Sequence, residues 1–363
     1  MKKIPSLNGL RALSILCVLT SHVLSRNFGL DKAPAGQLGV TIFFVISGFL
    51  ITLLLVNEEQ NNGKISLRNF YIRRVIRIFP VYYLYLGVCG ILALMHVFSF
   101  SLISWISSLT YSKYFFSTEW ETAHFWSLSI EEYFYLAWPL VFKYLGRYRK
   151  IFALLIIVAV PLVRLTTDIV PLHLFTRADG IMWGCLLAIY YEPVMQFLNK
   201  QKKLYLTLPF IIIIVCIGLK TVLKIFHREI PEHFIEAFFG SFGTITILSI
   251  AFIMVISINF KNNAWFTILN LPFINYLGVL SYSLYIWQQM FFSTHLGWFS
   301  GFPQNLALIF IVANISYYGV EKPLLKLKDK FHTKRSGGSK RLVAAAPFPG
   351  STRVPATQIE ARP

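Results

Sequence analysis

Arg11 and His22 stand eleven residues apart within the apolar stretch NGLRALSILCVLTSHVLS, residues 8–25. An ionisable side chain at the centre of a membrane-spanning helix costs about 2.5–3.5 kcal/mol on insertion scales, so neither is a neutral choice. On a helix the two differ by about 20° in azimuth and about 16 Å along the axis, which puts them on one face. Either Arg11 snorkels to the headgroups while His22 makes an interior hydrogen bond, or the face lines a polar cavity inside a bundle. In the second case His22 has the chemistry of a general base, because imidazole exchanges its proton near neutral pH.

Other ionisable groups recur at similar depth. Arg73, Arg74 and Arg77 fall within about one turn of FYIRRVIRIFPVYY, residues 70–83. Three guanidinium groups beside a helix N-terminus form an anion site suited to phosphates, and a basic loop that only signals topology is the simpler reading. HFWSLSIEEYFYLAWPL, residues 124–140, carries His124 and the pair Glu131 and Glu132. Adjacent residues point about 100° apart, so one carboxylate is expected to face the cavity, orienting His22 or holding a hydroxyl, and the other to face solvent. Arg177 and Asp179 in TRADGIMWGCLLA are expected to form an ion pair, with each other or across helices. Ser47-Gly48 reads as close helix packing, and Glu321-Lys322-Pro323 as the end of the last helix.

The elements that must position these groups follow from the composition. Of 363 residues, 56% are hydrophobic and only 14% charged, a balance foreign to soluble domains. Apolar runs near twenty residues recur at roughly 8–26, 37–56, 75–97, 126–145, 151–167, 178–195, 204–223, 236–258, 272–293 and 305–321, each the length a helix needs to cross the hydrocarbon core. The expected fold is an all-α, polytopic transmembrane bundle of about ten spans. A net charge of +18 suggests nucleic acid at first sight. Yet Lys and Arg gather in alternate connections, at Lys2/Lys3, 64–77, 143–150, 200–203 and 322–335. That is the positive-inside pattern, with both termini cytoplasmic and no nucleic-acid partner. Cys17, Cys89, Cys185 and Cys216 lie inside apolar runs without CxxC spacing and read as small buried hydrophobes, with no metal set. The first span reads as an uncleaved anchor. Residues 1–335 are taken as the membrane domain, and 336–363, rich in Gly, Ser, Pro and Ala, as a disordered cytoplasmic tail.

Seven stretches in order, RALSILCVLTSH, FFVISGFLIT, RRVIRIFPVYY, HFWSLSIEEYFYLAWP, RADGIMWGCLLA, LSYSLYIW and VEKP, resemble the acyltransferase 3 family of integral membrane acyltransferases. The resemblance covers residues 5 to about 325. It implies a bundle in the bacterial inner membrane that moves an acyl group, often acetyl, from cytoplasmic acyl-CoA to a hydroxyl of an extracytoplasmic or lipid-linked glycan. No permanently bound cofactor is implied, since acyl-CoA is a substrate. Some members carry an extracytoplasmic SGNH-hydrolase-type domain, and this chain resembles the stand-alone form, which leaves room for a separate extracytoplasmic partner. One departure stands at Gln288, where the family pattern after Trp287 commonly has histidine.

On this reading His22, with Glu131 or Glu132, is expected to be catalytic, and Arg11, Arg73, Arg74 and Arg77 to bind the donor. His124, Arg177, Asp179 and Trp287 are placed on the acceptor side or in structural roles. The rival function is a non-catalytic transporter of a lipid-linked glycan or small anion, because polar residues at membrane depth suit ion-coupled transport equally well.

Overall fold

The computed structural model describes residues 4–29, 34–116, 119–166, 173–201, 206–226 and 232–328. The expected tail, 336–363, lies outside the described residues. Among these every regular element is helical. The first three long helices are α1 (Leu7–Phe28), α2 (Pro34–Asn62) and α3 (Leu67–Leu94). Short α4 (Leu102–Leu109) and α5 (Trp120–Ala123) lead into α6 (Phe125–Tyr144), followed by α7 (Arg149–Thr166). Then come α8 (His173–Ile189), α9 (Tyr191–Asn199), α10 (Leu208–Phe226), α11 (Glu232–Phe239), α12 (Thr244–Asn259) and α13 (Ala264–Leu269). The chain closes with α14 (Pro272–Phe291), α15 (Gln304–Ser316) and α16 (Lys322–Lys328).

Among the described residues the predicted apolar runs fall on helices, with 178–195 and 236–258 each divided between two. Among the described residues five helical stretches, 7–28, 35–62, 67–94, 237–259 and 304–327, are long and apolar enough to cross a membrane unaided, and α8 with α9, bent by 78°, makes a sixth if the pair is one span. The chain is a multi-pass membrane protein. At 20 residues each, α6 and α14 are long enough but too polar to pass on hydropathy, because they carry inward-facing Glu, Ser, Tyr and Gln. Apolar side chains on α7 and α10, among them Leu155, Val158, Ile214 and Val215, are more than half exposed, as lipid-facing surfaces must be.

Close backbone contact fixes the centre of the bundle. Gly48 of α2 lies so near the Ile181 carbonyl of α8 that a methyl group there would overlap it, and Gly184 of α8 meets the Val45 carbonyl in the same way. Gly48 thus packs helices, as the small residues suggest, while its neighbour Ser47 faces another way. The C-terminal end of α2 is tied by ion pairs, Glu58 to Arg73 of α3 at 3.1 Å and Glu59 to Arg149 of α7 at 2.8 Å. Cys89, Cys185 and Cys216 are buried, and Cys17 is half-buried.

The expectation that Glu321 ends the last helix is corrected. Helix α15 runs through a π-helical turn, Tyr317–Glu321, directly into α16. Pro323 is accommodated in the first turn of α16, where its missing N–H is tolerated, and Glu321 is only 4% exposed.

Candidate active site

Five helices converge on one cavity. From α1 comes Arg11, and from α3 come Arg77 and Ile78. Helix α6 presents Ser127, Leu128, Glu131, Glu132 and Tyr135, one face at helical spacing, and α14 adds Ser281, Tyr282 and Tyr285. Helix α2 closes the space with Val40, Phe43, Phe44 and Ser47.

Glu131 is held at both oxygens. The Ser47 hydroxyl donates to Oε1 at 3.0 Å and the Tyr135 hydroxyl to Oε2 at 2.9 Å. Arg11 interacts electrostatically with Glu131, with Arg77 and with Glu321. Glu321 in turn accepts from Ser283 Oγ at 3.0 Å and feels Arg77. Two guanidinium groups therefore face two or three carboxylates in a space walled by hydroxyls. Such pairing is what makes buried charge tolerable.

Glu132 departs from expectation. Both glutamates line the cavity; neither turns to bulk solvent. Their 100° divergence sends Glu131 toward Ser47 of α2 and Glu132 toward α3, where it interacts with Arg74, and the cavity is wide enough to meet both.

The three arginines of α3 are not one cluster. Arg73 pairs with Glu58, Arg74 stacks at 5.5 Å over the Phe70 ring and 5.6 Å over Tyr135, and Arg77 alone of the three lines the cavity. Consecutive helical positions point in different directions, so adjacency in sequence gave no common target.

His22 does not line this cavity. Its ring lies 5.6 Å from Trp120 and 5.4 Å from Phe292, and it interacts electrostatically with His124. Neither glutamate is among these neighbours. His124 is buried against Tyr85 and Tyr285, each 5.6 Å away by ring centroids. The Tyr285 hydroxyl, itself lining the cavity, donates to the His124 carbonyl at 3.1 Å and meets Ser127 Oγ at 2.5 Å. Hydrogen bonds thus link the cavity wall to the backbone of His124, whose ring neighbours His22.

Arg177 and Asp179 are not paired with each other. Asp179, fully buried, accepts from Arg164 of α7 at 2.5 Å, while Arg177 stacks 4.4 Å over Trp126 and 3.9 Å over Phe242. The cross-helix form of the expected ion pair is the one seen. Trp287 packs 5.4 Å from Tyr85, and its Nε1, like Oε1 of the buried Gln288, has no hydrogen-bond partner among the described residues. Tyr135, Tyr282, Tyr285 and Glu321 were missed as site residues. Tyr135 was findable as the i+4 neighbour of Glu131, whereas the α14 tyrosines resemble any interfacial aromatic.

Fold and site together define a multi-pass membrane protein with charged groups gathered in an interior cavity. The acyltransferase domain family matches residues 4–319, and the chain belongs to that acyltransferase 3 family. It is similar to the peptidoglycan O-acetyltransferase OatA of Listeria monocytogenes, 26% identical over 90% of this chain and 56% of the relative. It is also similar to the O-acetyltransferase OatA of Staphylococcus aureus strain NCTC 8325, 29% identical over 94% of this chain and 60% of the relative. The chain therefore spans little more than half the length of these relatives. No solved structure matches it.

Proposed function

We propose that this chain is a membrane-embedded O-acyltransferase carrying an acyl group, acetyl by preference, from cytoplasmic acyl-CoA to a hydroxyl of an extracytoplasmic or lipid-linked glycan. The observation that carries the reading is the convergence of Arg11, Arg77, Glu131 and Glu132 on one cavity among membrane-spanning helices. Named relatives that are O-acetyltransferases support the reaction class. Both termini are placed in the cytoplasm with ten crossings, in the inner membrane of a bacterium.

The physical problem is that coenzyme A is polyanionic and cannot cross hydrocarbon, whereas an acyl end can advance through a polar seam at far smaller cost. Arg77, with Arg74 behind it, attracts the donor's phosphates from the cytoplasmic side. Arg11 shares the cavity and balances the glutamates or the developing oxyanion. At the other end of the seam His22 takes the proton from the acceptor hydroxyl. The thioester C–S and acceptor O–H bonds break, an ester C–O bond forms, and the proton passes to the departing thiolate. Transfer through a transient acyl-imidazole on His22 has the same balance in two steps. Because His22 lies beside His124 and not beside either glutamate, Glu131 and Glu132 act on cavity charge in this scheme. A separate extracytoplasmic partner completes delivery where the acceptor lies beyond the bundle.

The test is purified protein in lipid vesicles supplied with radiolabelled acetyl-CoA and peptidoglycan fragments as the hydroxyl acceptor. Thiol release is expected, reduced about 100-fold or more in His22→Ala with insertion intact, the usual weight of a general base. Wild-type turnover by that variant would remove His22 from the chemistry. A transporter would release no thiol at all.

A further inference from the structure

The cavity is polarised in a way the reaction class alone does not require. Four of its walls, from α1, α3, α6 and α14, present guanidinium, carboxylate and hydroxyl groups, whereas α2 presents Val40, Phe43 and Phe44 before Ser47. Those positions follow i, i+3, i+4 and i+7, one stripe of one helix. Leu128 and Ile78 face the same space from α6 and α3.

Within the stripe the two phenylalanines differ. Phe44 is 1% exposed and packs 6.3 Å from Trp126 by ring centroids, as a core side chain does. Phe43 is half-buried, and its ring meets Tyr285, another cavity residue, at 6.1 Å. The exposed part of Phe43 is therefore turned toward the cavity.

The wall has no room to recede. Gly39 sits against the Ser14 carbonyl of α1, where a methyl group would overlap, and Ser14 Oγ donates to the Gly39 carbonyl. Thr41 Oγ1 donates to the Ser241 carbonyl at 2.8 Å. Nine residues along, Gly48 rests on the Ile181 carbonyl of α8. Close-packed interiors do not yield smoothly to an added methylene, and here backbone backs onto backbone at both ends of the stripe.

We infer that the α2 stripe, with Phe43 as its principal member and Val40 beside it, is the acyl-length gate of this site. The apolar tail of the transferred group lies along it while the thioester faces the polar walls, before the acyl group meets the acceptor beside His22. The inference rests on the acyl-transfer reading above and adds the residues that select the donor. The polar walls take the thioester and the end of the pantetheine arm, so the tail has only the strip that α2 borders. A short acyl group is the one that fits a wall this rigid.

The experiment compares thiol release from acetyl-, propionyl-, butyryl- and hexanoyl-CoA by the full chain in vesicles, with peptidoglycan fragments present as the hydroxyl acceptor. In the wild type each added methylene should cost about tenfold or more, within the range apolar pockets impose. Phe43→Ala should bring butyryl-CoA to within about tenfold of acetyl-CoA, and Val40→Phe should steepen the fall. Phe43→Leu provides a graded version where the alanine variant does not give a single gel-filtration species. If folded Phe43 variants keep the wild-type ratio between donors while losing rate on all of them, the stripe only packs and the inference is overturned. If the wild type consumes no acyl-CoA, the acyl-transfer reading fails first and the gate with it; the two failures are distinct.

Discussion

Glu131 is the best-positioned carboxylate in the cavity because two hydroxyl donors from different helices, Ser47 and Tyr135, leave it no freedom to rotate. A hydrogen bond to a charged group contributes about 1.5–3 kcal/mol. If that bond matters chiefly for the rate, Tyr135→Phe should lower acetyl-CoA-dependent thiol release about 10- to 100-fold. Glu131→Gln keeps size and shape but removes the charge that balances Arg11, and a loss of at least about 100-fold is expected. The two changes act on one contact, so the double variant should be no worse than Glu131→Gln alone. Fully additive losses would mean that Tyr135 serves something other than Glu131. The ionisable members of this set were legible in sequence because charge at membrane depth has a cost that must be met. Their hydroxyl partners were not, since a serine or tyrosine in an apolar run costs little and signals little. Arg73 and Arg74 show the reverse error, in which a sequence cluster dissolved once Glu58 and the Phe70 and Tyr135 rings claimed one arginine each.

Among the elements, the connection from α3 to α6 carries the groups that cover His22. Trp120 of α5 packs on the His22 ring, and His124 follows one residue after α5 ends. This segment is stapled by Lys113, which is 4% exposed and donates to Ser104 Oγ of α4 at 2.6 Å, with Glu119 at 4.0 Å. Burial pulls the Lys113 ammonium down to about 8 from its ordinary 10.5, against the opposing pull of Glu119 and Glu121. Between those two values the unfolded chain binds the proton and the folded chain does not, so stability should rise with pH across that window. The buried charge is a cost below about pH 8 that deprotonation relieves. Thermal unfolding in detergent from pH 7 to 10 should show the midpoint climbing, and Lys113→Met should flatten that climb. A midpoint insensitive to pH in the wild type would mean that Lys113 is solvated after all. Helix existence was readable throughout because each apolar run has helical length. Helix α6 and helix α14 fall short on hydropathy for the reason that makes them interesting: their polar stripes face the cavity.

For the whole molecule, the proposed topology ties cavity and charge pattern together. With both termini cytoplasmic and ten crossings, the Glu58–Arg73 and Glu59–Arg149 pairs lie at the inner surface, and the α4–α5 segment with His22 lies at the outer one. Donor and acceptor would then approach from opposite ends of one seam, which a chain of inverted or odd topology could not arrange. Single cysteines in a background lacking Cys17, Cys89, Cys185 and Cys216 can decide this. At exposed positions, Lys64→Cys, Arg147→Cys and Asn262→Cys should react with a membrane-impermeant maleimide only after the cells are opened. Phe116→Cys and Trp298→Cys, 45% and 69% exposed as native residues, should react in intact cells. Labelling of Arg147→Cys from outside would invert the bundle about α6 and separate the arginines from cytoplasmic coenzyme A, and the direction of transfer would have to be abandoned. Agreement at Lys64 and Phe116 but reversal at Asn262 and Trp298 would instead place an odd number of crossings between α6 and the stretch 259–271. That would leave the Arg11–Arg77 mouth on the donor side and restrict the error to α7 through α12.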